Sequence, residues 1–132
     1  MKRILFLVVI VLLCSTCRKK VTKVNPDYVG EWIESPRGWC ESKIIIDEDN
    51  NGLYTYSSNT TSECSDNIHG IARLGDKVLV IGSRHFKLIE KATQIPDTLF
   101  SGGVATSNMR MKIKIPLWLG ASGDIVTLYK KK

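Results

Sequence analysis

Cysteine and histidine carry most of the reactive chemistry open to this chain, which has four of the first and two of the second. Cys14 and Cys17 stand three apart, where the apolar run ending at Leu13 meets Arg18-Lys19-Lys20. That spacing suits a dithiol redox pair or half of a zinc site, provided the thiols become thiolates. Cys14 lies inside the apolar run with no His or third Cys nearby, which disfavours the thiolate. His69 and His85 have no acid or nucleophile at a spacing that suits acid–base or nucleophilic catalysis. They read as surface or strand residues. Ser101-Gly102-Gly103 lacks the Lys and the strand–loop–helix setting of a phosphate loop, and reads as a flexible turn. These residues predict no enzyme, no metal site and no cofactor.

Asp47-x-Asp49-x-Asn51-Gly52 matches the first half of an EF-hand calcium loop. The twelfth position, which should hold a bidentate acid, is Ser58. β-Branched residues precede the segment and Tyr-Thr-Tyr follows it, so the helical flanks are missing as well. The expectation is a solvated hairpin turn.

The N-terminus reads as a targeting segment. Lys2-Arg3 give positive charge, and Ile4 to Leu13 are apolar without interruption. As a helix that run would span roughly 15 Å, about half of a bilayer's hydrocarbon core, which suits a signal peptide and not a membrane span. Ser15-Thr16-Cys17-Arg18-Lys19-Lys20 then resembles the processing site of bacterial lipoproteins, with Cys14 where Leu is usual. The resemblance implies diacylglycerol on the Cys17 sulfur, an acyl chain such as palmitate, and a mature chain beginning at Cys17. Residues 1–16 would be the cleaved signal, 17–27 a tether and 28–132 a single β domain. Removal of Lys2 and Arg3 takes the formal charge from +6 to +4. No acid follows Cys17, and by the same resemblance the chain is expected at the outer membrane of a bacterial envelope.

Separate fates for Cys14 and Cys17 leave Cys40 and Cys64 in an oxidising compartment, where a disulfide is expected. Between them, Lys43 to Asp47 and Leu53 to Ser57 read as strands about a turn at Asn50-Asn51-Gly52, with Ser42 opposite Ser58. Both cysteines then fall at the open end of one hairpin.

The elements that must position these residues are strands. Tyr28–Glu34, Ile68–Leu74, Lys77–Ile81, His85–Ile89, Met109–Ile115 and Asp124–Tyr129 show strand chemistry or period-two alternation, with a tight turn at Gly75-Asp76. No window of eleven or more residues carries a helical stripe. The fold class is all-β: an antiparallel small barrel or sandwich of about seven to eight strands, preceded by the signal helix. Gly30-x-Trp32 in the first mature strand resembles the G-x-W signature of lipocalin-like barrels. That resemblance implies a Trp plugging one barrel end, with a basic residue, Arg110 or Lys130, packed on it.

The 43% hydrophobic content and 132 residues fit one domain. The scattered basic residues argue against a nucleic-acid partner. Arg110, Lys112 and Lys114 form a basic face, read as the solvated side of an edge strand. Val80, Phe86, Leu88, Met109 and Met111 are candidate lining positions for a small apolar ligand. Arg37 and Trp39 beside Cys40 form a candidate binding loop. The chain is expected to be a monomeric, non-enzymatic protein held to the membrane by lipid on Cys17, binding a ligand or partner through a lipocalin-like domain. The alternative is a surface interaction protein with a solid core, such as an envelope inhibitor or immunity protein.

Overall fold

The computed structural model describes residues 24–34, 40–58, 64–96, 106–116 and 123–132. Eight strands follow one another in chain order: β1 (Gly30–Glu34), β2 (Glu41–Ile46), β3 (Asn51–Ser57), β4 (Ser65–Leu74), β5 (Val78–Ile81), β6 (Arg84–Gln94), β7 (Thr106–Lys114) and β8 (Ile125–Lys131). Every neighbouring pair is antiparallel, and β8 returns to β1 through Trp32–Lys130, Ile33–Tyr129 and Glu34–Leu128. Of the two architectures open to the sequence, the chain adopts the closed barrel. Closure leaves no strand edge, so β7, flanked by β6 and β8, is not the edge strand its basic face suggested.

Period-two alternation turns one residue in two inward. Trp32, Ile44, Tyr54, Leu79, Ile81, Phe86, Met111, Ile113 and Leu128 are fully buried and fill the interior. On β5 the inward positions are Leu79 and Ile81, which puts Val80 on the outer face and corrects its reading as a lining residue.

The N-terminal segment departs from the expected strand. Pro26–Tyr28 forms a single 3-10 turn, capped by the Asn25 side chain accepting from the Asp27 amide, and β1 begins only at Gly30. Pro26 presets φ for that turn. Tyr28 is thereby tucked beneath the barrel, where its hydroxyl accepts a hydrogen bond from the Ala92 amide at 3.0 Å.

The turn between β2 and β3 occupies Asp47–Asn50, and the hairpin folds one residue earlier than a pairing of Ser42 with Ser58 implied. Asp47 Oδ1 accepts from the Asp49 and Asn51 amides, Oδ2 accepts from Asn51 Nδ2, and Asn50 takes a left-handed φ of 65°. These bonds, first those from Asn51, hold the Asp47 carboxyl below the ordinary range. The residues that imitate a calcium loop are thus occupied in closing a turn. Asn51 and Gly52 belong to β3, and Ser42 pairs with Tyr56, not with Ser58. Gly52 has a packing reason to be there. A Cβ would come within 3.1 Å of Ala72 and Ile81 side chains.

Cys40 and Cys64 form the expected disulfide, with Cα atoms 6.0 Å apart. They precede β2 and β4, the two strands that flank β3, so the bridge spans the end of β3. Closing about 25 residues contributes roughly 3 kcal/mol, chiefly by restricting the unfolded chain.

Candidate functional site

The two ends of the barrel differ in chemistry. At one end Trp32 Nε1 donates to the Tyr28 carbonyl at 2.8 Å, and the Val24 amide donates to Asn50 Oδ1 at 2.8 Å. Lys130 lays its ammonium 5.9 Å from the Trp32 ring centroid and donates to the Asp27 carbonyl. Its stem crosses Gly30, where a Cβ would meet Lys130 Cε at 2.9 Å and φ is +129°. Lys130 therefore takes the place on the tryptophan that sequence left open between it and Arg110. The Gly30-x-Trp32 spacing has a physical reason: the first residue clears the path for the cation, and the second receives it.

Arg110 is engaged elsewhere. Register shifts on β6 at Leu88/Glu90 and Glu90/Thr93 interrupt its alternation, and Glu90 lies opposite Lys112. Glu90 accepts from Arg110 Nε at 2.9 Å and Nη2 at 2.6 Å, and pairs with Lys112 Nζ at 3.0 Å. Partial burial raises the Glu90 carboxyl, but the bonds from Arg110 and Lys112 outweigh it and hold the group below its usual range. Two of the three residues of the expected basic face are thus neutralised locally, leaving Lys114 exposed.

The opposite end is the mouth, where β1 and β3 finish and β2 and β4 begin. Cross-strand pairing puts Ser42, Tyr56 and Asp66 in one row, and the Ser42 amide donates to Glu34 Oε2 at 2.9 Å. Glu34 shares the inward face of Trp32, and Asp66 shares that of Ile68 and Ala72. One layer deeper, the Tyr54 hydroxyl lies 3.4 Å from the buried Ser42 hydroxyl, and its ring packs 4.9 Å from Phe86, centroid to centroid. Burial pushes the Tyr54 phenol up to about 12; the Ser42 bond opposes this, while Asp66, Glu34 and Tyr56 add to it. This end therefore gathers acidic and hydrogen-bonding side chains above an aromatic and aliphatic layer. Among the described residues it holds the Tyr54 phenol, whose pKa burial raises, and two acidic side chains, an arrangement fit for recognition.

The sequence candidates fall in several places. Phe86, Leu88 and Met111 are buried members of the core, and Met109 is half-buried against it. Cys17, Arg37 and Trp39 lie outside the described residues, as do the signal segment, the tether up to residue 23 and Ser101-Gly102-Gly103. His69 and His85 are exposed on the outer wall. Among the described residues no group of three or more His, Cys, Asp or Glu could hold a metal ion.

Glu34, Ser42, Tyr54, Tyr56 and Asp66 were not among the sequence candidates. The tyrosines at positions 54 and 56 share a strand face, a signal visible in the sequence. Their meeting with Glu34 and Asp66 depends on pairing across four strands, which only the fold supplies. Comparison of the chain with family models, curated proteins and solved structures finds no match.

Proposed function

We propose that this is a lipid-anchored, non-enzymatic protein of the bacterial envelope whose barrel receives an amphipathic small ligand at its mouth. The observation that carries the binding site is the row Glu34, Ser42, Tyr56 and Asp66 set over Tyr54 and Phe86. A cationic or hydrogen-bond-donating head would share or replace the existing contacts of the two carboxylates, and an apolar body would meet the rings. The anchor rests on Lys2-Arg3, the apolar run and Ser15-Thr16-Cys17. Two or more acyl chains on one cysteine give stable membrane attachment, which a single short chain does not.

The neutral probe N-phenyl-1-naphthylamine tests the mouth. Its fluorescence should rise on binding, and decylamine should displace it at about ten-fold lower concentration than decanoate, a free-energy difference of about 1.4 kcal/mol. The double variant Glu34→Gln/Asp66→Asn should erase that preference. Equal displacement by the two amphiphiles in the wild type would sink the role of the carboxylates. No uptake of probe at all would leave the surface-interaction reading, which the filled lower interior favours. The anchor has its own test: metabolic labelling with palmitate should mark the wild type and spare Cys17→Ala. Label that survives the substitution rules Cys17 out as the acceptor.

A further inference from the structure

Charge is divided along the chain with unusual completeness. Residues 24–74 hold nine acidic and three basic side chains, whereas residues 75–132 hold four acidic and ten basic ones. Because the strands run around the ring in chain order, β1–β4 and β5–β8 form opposite walls. The outer face of β5–β8 is basic, whereas the charged residues on the outer face of β1–β4, Glu31, Glu41, Lys43 and Arg73, balance.

Several cations of the basic wall have partners: Arg110 and Lys112 on Glu90, Lys91 on Asp76, Lys131 on Glu31. Lys87 and Lys114 do not. They are exposed, make no ion pair with any described residue, and lie directly opposite each other across β6 and β7. Like charges in that position repel, so the pair costs the barrel stability for no internal return. Beside them, Ile125 pairs with Lys114 and is 54% exposed, and Ile89, two residues along from Lys87, is 44% exposed. Basic and apolar side chains interleaved on one surface suit the boundary between anionic headgroups and acyl chains.

We infer that the wall formed by β6, β7 and β8 docks on an anionic lipid surface, with Lys87 and Lys114 on the headgroups and Ile89 and Ile125 as shallow anchors. The inference rests on the lipid-anchor reading in one respect, that the anchor keeps the barrel beside a bilayer. The reach is sufficient. Lys114 pairs with Ile125, which lies five residues along β8 from Lys130 at the tethered end, roughly 17 Å, and residues 17–23 span up to about 25 Å when extended. The docked barrel would lie on its side, with β2 to β4 turned away from the surface.

Lysine acetylation read by mass spectrometry tests this on the lipid-bearing chain mixed with vesicles. On phosphatidylcholine containing about 30% phosphatidylglycerol, Lys87 and Lys114 should react about five-fold more slowly than on pure phosphatidylcholine. Lys43, on the opposite wall, should react equally on both. Salt at about 0.5 M should abolish the difference. In Lys114→Glu, a change at an exposed site, the protection of Lys87 should fall below about two-fold. Equal rates for Lys87 on the two vesicle types would overturn the proposal and leave the wall to solvent or to an acidic protein. So would protection that spread to Lys43. Failure of the anchor shows separately, as a chain that does not sediment with pure phosphatidylcholine.

Discussion

Replacing Trp32 with alanine is expected to remove about 4 kcal/mol of stability, the upper range for deleting a large buried side chain. The indole is fully buried, its Nε1 satisfies the Tyr28 carbonyl, and its ring underlies Lys130. Alanine would leave a cavity at the closed end, an unpaired carbonyl and a lysine stem without a floor. Urea denaturation should show a lower midpoint at unchanged slope, since the folded and unfolded surfaces remain similar. Trp32→Phe keeps most of the volume and loses the hydrogen bond, so its cost should be about 1–2 kcal/mol. A loss below about 1 kcal/mol for Trp32→Ala would show that the closed end holds without its plug.

Gly70→Ala should be the second severe change, at about 3 kcal/mol or more. Gly70 has φ +153° on β4, and a Cβ there would stand 2.5 Å from the Cα of Gly82 and 2.9 Å from its nitrogen. Gly82, in the corner between β5 and β6, is itself left-handed at +57° and donates its amide to the Ile71 carbonyl. Two backbones pass here with no room for a side chain. Strain in φ and the forced displacement each cost on the order of 1–3 kcal/mol. Gly123→Ala separates the two terms, because Gly123 has φ +82° but no atom within 4 Å of the place a Cβ would take. It should cost only about 1 kcal/mol. Equal losses at the two positions in the same urea experiment would remove the close approach from the account.

Strand chemistry was legible because a barrel writes it plainly: half of each strand must be apolar, and Met109 to Ile115 shows this without a break. The limits of that legibility are local. β6 runs on to Gln94, past the expected end at Ile89; only Ala92 of its last residues packs on the core, and two register shifts break the alternation. Alternation cannot be read through a bulge. The first hairpin was placed by its Asn-Gly signal, yet the Asp47 carboxylate closes the turn earlier and leaves Gly52 to pack against Ala72 and Ile81. A side chain that organises a turn from before it is a weaker pattern in sequence than the dipeptide it overrides. The disulfide was expected from the hairpin that brings Cys40 and Cys64 to one end, with Cys14 and Cys17 given separate fates by the lipoprotein resemblance. The bond between Cys40 and Cys64 is there.

The candidate site was less so, for a geometric reason. Glu34 and Asp66 read individually as surface acids at strand ends, and Ser42 as an ordinary strand polar residue. Each becomes part of a rim only when β1 to β4 are set in register. The choice of Lys130 over Arg110 has the same origin, since it turns on which cation the ring brings opposite Trp32. Glu90 settles the other half of that choice by holding Arg110 on the outer wall.

The pairing of β1 with β8 sets the order in which the molecule can be finished. Trp32 and Lys130 are joined across nearly the whole length of the domain. Loop closure over such a span is entropically costly and slow compared with making any neighbouring hairpin. Until β8 meets β1, those two strands each present a row of unsatisfied amides and carbonyls, and Trp32 lacks the lysine that covers it. Every intermediate short of that closure is therefore an open sheet with two sticky margins. Completion is a single late event that hides both margins at once.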